Sequence, residues 1–151
     1  MRRLLAASIW APGAIPPDEW KYRNLKRVWL PLYDVIAIVA GFFAFDQGSN
    51  LLNRLFEPWL VDTFGITMMV VATVCLAGVA FPSLWAVEMV GKVLLLGMVV
   101  TYIAAILFLS REPFTNFFVV AMLAWGLPLA LFRLNLLGEE WKERDAEEAD
   151  A

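Results

Sequence analysis

Residues 84–109 read LWAVEMVGKVLLLGMVVTYIAAILFL, 26 positions with only two charged side chains, Glu88 and Lys92. At 1.5 Å per residue such a helix spans about 39 Å, more than the roughly 30 Å hydrocarbon core of a bilayer. The stretch shows no polar–apolar alternation, which excludes the strand of a membrane barrel. It reads as a transmembrane helix long enough to tilt.

Three more stretches fall within the range of about 17–25 mostly apolar residues usual for a spanning helix. Residues 28–45 qualify although Pro31 and Asp34 interrupt them. Residues 63–81 follow Asp62, an expected N-cap, and stop at Pro82. Residues 114–132 start after Pro113 and carry Pro128 near their end. Overall composition agrees: 61% of the 151 residues are hydrophobic and 18% charged, against about 45–50% and about 25% in soluble domains.

The links set the expected topology. Pro82 and Ser83 join the second and third stretches, and residues 110–112 join the third and fourth. Connections this short make antiparallel helix hairpins. The longer link, 46–62, contains SNLLNRLFEPWLV (49–61), which reads either as a covering loop or as a short amphipathic piece at the interface. The expected fold is all-α: an integral membrane four-helix transmembrane bundle with an N-terminal interfacial helix. That last helix is suggested by Arg2 and Arg3 ahead of Leu4, Leu5, Ile9 and Trp10, followed by a break at Pro12, Pro16 and Pro17.

Charge divides the chain into three regimes. Residues 1–27 carry Arg2, Arg3, Lys21, Arg23, Lys26 and Arg27 against Asp18 and Glu19. Residues 139–151 carry seven acids against Lys142 and Arg144, closing an acidic tail expected over 133–151. Lys and Arg gather at both ends, which places both termini in the cytoplasm of a bacterial cell. Lys21, Arg23, Lys26 and Arg27 would then touch lipid headgroups or simply form a positive flank. Trp10, Trp29, Trp59, Trp85 and Trp141 are expected interface anchors. The tail is expected to be a solvated face, with a basic protein partner as its other use.

Chemistry is sought first among ionisable residues inside the spans. Asp34, Glu88 and Lys92 qualify, and Glu88 precedes Lys92 by four residues on one helix face, the favourable order. Two acids and a base at similar depth can form a triad, serving either as a proton or ion relay, as a pore lining, or as a clamp on helix register. Cys75 reads as a small apolar filler. With no His and one Cys, His-based catalysis, His/Cys zinc sites and internal disulfides are excluded. No catalytic motif, metal site or cofactor site is visible, and no nucleic-acid partner is expected. No GxxxG pair is present either; Gly91 and Gly97 are six apart.

The plan resembles the small multi-span membrane proteins carried by tailed phages of actinobacteria, some of which are holins. The resemblance rests on size, the N-terminal MRRLLAASIWAPGAIPPDEWKYRN (1–24), four spans and a charged C-terminal tail. It implies a homo-oligomer in the cytoplasmic membrane of the host and a timed lesion that frees a lytic enzyme. The acidic tail departs from the basic tails frequent in holins. The other classes the residues allow are a non-catalytic accessory or scaffold subunit docking through its termini, and a small ion channel or transporter.

Overall fold

Pro31 decides how the first helix begins. It has no N–H to offer the Arg27 carbonyl four residues back, and its ring crowds that carbonyl. A computed structural model, describing residues 8–11, 14–15, 22–46, 53, 56–109 and 117–149 (without the side chains of 117, 140 and 143–149), shows the response. Residues Leu25–Trp29 widen into a π turn, in which the Leu30 N–H reaches back to the Leu25 carbonyl. Helix α1 then runs over Leu30–Asp46. Pro31 is therefore tolerated near a helix start and does not split the span.

The remaining elements are α2 (Pro58–Ala80), a 3₁₀ turn (Pro82–Leu84), α3 (Trp85–Leu109) and α4 (Phe117–Ala149). No strand occurs among the described residues. Four helices are long and apolar enough to cross a membrane: Leu25–Asp46, Pro58–Ala80, Pro82–Leu109 and Phe118–Glu139. The all-α class and the four spans stand as the sequence implies. The expected interfacial helix lies mostly outside the described residues. Where description begins, residues 8–11 form a tight turn closed by the Ala11 N–H on the Ser8 carbonyl at 3.0 Å.

Two boundaries move. α2 starts at Pro58, with extended Glu57 in the N-cap position, so Asp62 lies a turn inside the helix and caps nothing. Proline at the first helical position, its φ already set, outweighs the fall in hydropathy at Asp62. α4 does not end near Phe132. It continues for 33 residues to Ala149, roughly 50 Å at 1.5 Å per residue. Its last turns are rich in Glu, Lys, Arg and Ala, all strong helix formers, so the charged tail extends the helix instead of ending it.

The chain divides into two compact units, Met1–Gly91 and Lys92–Ala151, with the boundary inside α3. In the first, α1 buries Leu30, Asp34, Ala37 and Gly41, a 4-3-4 spacing that keeps one face inward. On α2 the buried set includes Val61, Gly65, Ala72, Cys75 and Val79, again at spacings of three, four and seven. Close approach depends on missing side chains. A Cβ on Gly41 would stand 2.9 Å from the Gly65 carbonyl oxygen and the Met69 nitrogen; one on Gly65 would stand 2.7 Å from the Phe45 nitrogen. The end of α1 thus meets the start of α2, which makes the pair antiparallel. α2 ends where Phe81, extended ahead of Pro82, donates its N–H to the Ala77 carbonyl at 3.0 Å. The chain reverses, and Gly78 faces Glu88 while Cys75 faces Gly91.

In the second unit, the buried residues of α3 are Lys92, Leu95, Ala105 and Ile106. Those of α4 are Val120, Ala130, Arg133 and Leu137, the last three at spacings of three and four.

Candidate functional site: buried charges in apolar helices

A soluble protein hides its apolar residues and shows its charges. Here much of that order is reversed. Asp34 (0%), Glu88 (1%), Lys92 (0%) and Arg133 (5%) are almost fully inaccessible, whereas Phe108 is 85% and Trp125 77% exposed. Phe42, Phe43, Val90 and Phe118 are among many other large apolar side chains facing outward. An outer face of this kind is stable against hydrocarbon, and ionisable groups in such helices turn inward because lipid offers them no hydrogen bonds.

In the first unit, Asp34 occupies the inward stripe of α1 between Leu30 and Ala37. Glu88 lies in the first turn of α3, where the positive end of the helix dipole favours a carboxylate. The backbone and Cβ of Glu88 pack directly on Gly78: a Cβ built there would lie 2.5 Å from the Glu88 Cβ. One turn away, a Cβ on Gly91 would lie 2.6 Å from the Cys75 Sγ. Tyr33, beside Asp34, is close enough to Cys75 for the two to interact electrostatically. Two carboxyl groups and a thiol therefore belong to the inward faces of three helices, with the half-buried Tyr33 phenol next to them. Cys75 is buried, as a filler would be.

In the second unit, Lys92 follows Glu88 by one turn of the same helix, so the two share a face of α3. Arg133 joins Ala130 and Leu137 on the inward stripe of α4. Asp34, Glu88, Lys92 and Arg133 are each engaged by a hydrogen bond, ion pair or electrostatic contact. Reading by hydropathy assigns Arg133 to the tail and misses it. The signal that finds it is the three–four spacing, which continues past the point where hydropathy falls.

The four expected headgroup contacts do not form one set. Lys21 lies outside the described residues, and Arg23 is exposed. Lys26, in contrast, is buried, four residues before Leu30, and so continues the inward stripe of α1. Arg27 is part-buried and donates from Nε to the Ile9 carbonyl and from Nη2 to the Ala11 carbonyl, both at 3.0 Å. Its guanidinium is committed to protein backbone.

Three of the five expected anchors, Trp29, Trp59 and Trp85, stand at helix starts. Trp29 and Trp59 are exposed, close to the starts of α1 and α2; Trp85 opens α3, and Trp141 is exposed in the last part of α4. The Trp59 indole donates to the Glu57 carboxylate at 3.2 Å. Trp10 is half-exposed and donates to the Arg27 carbonyl at 3.2 Å. No family model, curated protein or solved structure matches the chain.

Proposed function

We propose that this chain is a holin-like protein of the bacterial cytoplasmic membrane, with both termini inside, which associates with copies of itself and opens or remodels a lesion. The supporting observation is the reversed distribution of charge: Asp34, Glu88, Lys92 and Arg133 lie inside helices whose outer faces are apolar. Helices of this kind enter hydrocarbon readily while carrying the polar groups that a water-filled opening needs. When helices of neighbouring copies exchange partners, those groups can line water without any further charge crossing lipid. No catalytic step belongs to this reading.

Inducible expression in a bacterium, followed with a membrane-potential dye, tests it. A lesion-forming protein collapses the potential abruptly after a delay and runs as a discrete oligomer in mild detergent. Unchanged potential, with a monomer in several detergents and in nanodiscs, overturns the reading. One observation favours a second class. α4 carries its charged residues on a continuous helix well beyond membrane length, which suits an accessory subunit that docks a basic partner. That subunit would leave the potential intact, and a channel would leak selectively.

A further inference from the structure

The turn at residues 8–11 occupies backbone groups that the helices leave over. Pro31 deprives the Arg27 carbonyl of its helical donor, and the Trp10 indole N–H supplies one at 3.2 Å. At the other end, the Ala80 carbonyl closes α2 without the donor four residues on, because the Leu84 N–H goes to Phe81 at 2.8 Å. The Ile9 N–H takes that place, 2.9 Å from the Ala80 oxygen. The exchange with Arg27 is reciprocal. Its guanidinium holds the carbonyls of Ile9 and Ala11, on either side of Trp10. Ser8, Ile9 and Ile15 are buried by the arrangement.

We propose that the turn at residues 8–11, the described part of the N-terminal arm, is a releasable strap, latched by Arg27, that ties the start of α1 to the end of α2. The latch needs a planar fork, because two carbonyls two residues apart are met by two N–H groups in fixed relation, and an ammonium does not reproduce that. No crosslink ties residues 8–11 to the helices, and the Trp10–Arg27 bond lies at an exposed position. The strap therefore opens as a local event, without loss of the helices. Open, it frees both helix ends to move apart. Closed, it fixes them.

The test is thiol labelling of the full chain in nanodiscs, in a Cys75→Ala background. Ser8→Cys, a buried site, reports the strap; Asn24→Cys, exposed one turn before Arg27, is the reference. Position 8 should label at least tenfold more slowly than position 24. Arg27→Gln and Arg27→Lys should each raise the rate at position 8 about tenfold and leave position 24 unchanged. Trp10→Phe, which keeps an aromatic side chain but removes the N–H donor together with the pyrrole part of the indole, should raise it about threefold, and it covers the case in which Arg27 variants fail to fold. Equal rates at 8 and 24 in the parent overturn the proposal. So does a rate at 8 that neither the Arg27 variants nor Trp10→Phe change, or a position 8 that never labels while circular dichroism shows intact helices.

Discussion

A methyl group is the smallest change that tests how tightly the carboxylate of Glu88 is housed. At Gly78 it meets the Cβ of Glu88 at 2.5 Å and the Cα at 2.9 Å, and neither atom can swing aside. Gly78→Ala should lower stability by about 1–3 kcal/mol, read as an earlier thermal transition in detergent. Gly97 is the control, with nothing within 4 Å of a Cβ built there. Gly97→Ala should be neutral or stabilising by up to about 1 kcal/mol, since alanine is the better helix former. Charge is tested at Lys92. Lys92→Leu removes the cation one turn from Glu88 on α3 and should lower stability by about 3–5 kcal/mol, the loss expected where a buried charge pair is broken. Asp34→Asn keeps the Glu88–Lys92 spacing intact and should cost less, while Lys92→Leu with Glu88→Leu should recover part of the loss. A silent Lys92→Leu in the same melts would remove Lys92 from the site. Asp34, Glu88 and Lys92 were legible in the sequence because each interrupts an apolar run. Lys26 and Arg133 were not, because each sits where hydropathy is already falling and only the helical spacing marks it as inward.

Among the elements, length and hydropathy identified the four spans, and the two-residue link at Pro82 identified the α2–α3 hairpin. Starts were harder to read. Hydropathy points to Asp62 as the beginning of α2, whereas backbone chemistry points to Pro58, and backbone chemistry prevails. The approach of α1 to α2 left no motif, because Gly41 and Gly65 lie on different helices and no spacing within one helix records their meeting. The extent of α4 was missed because a charged run resembles a solvated tail, although its residue types favour helix. Nitroxide labels placed singly over positions 134–142 should show accessibility with a period near 3.6 residues and a minimum at Leu137, which is fully buried. A flat profile over those positions would mean that α4 ends earlier.

For the molecule as a whole, the reversed placement of apolar and charged residues carries more weight than composition does. It requires a low-dielectric surrounding, since so many exposed large apolar side chains would form patches far beyond those of soluble monomers. Sidedness rests on the distribution of Lys and Arg together with an even number of spans. In a Cys75→Ala background, an impermeant thiol reagent should reach Ser49→Cys and Ser110→Cys from outside intact cells, and Ala146→Cys only after permeabilisation. Labelling of position 146 in intact cells would reverse the orientation.

The bond between Ile9 and Ala80 also sets an order of events during synthesis. The donor leaves the ribosome roughly 70 residues ahead of its acceptor, a lag of roughly 4–14 s at about 5–20 residues per second. Within that interval α1 emerges in its turn, while the arm has nothing at Ala80 to bind. The bond to Ala80 therefore comes too late to instruct the orientation of α1, which the Lys and Arg of residues 1–27 settle first. Only a chain whose second helix has returned to the side where the first began presents the Ala80 carbonyl to Ile9, so this bond is among the last to close.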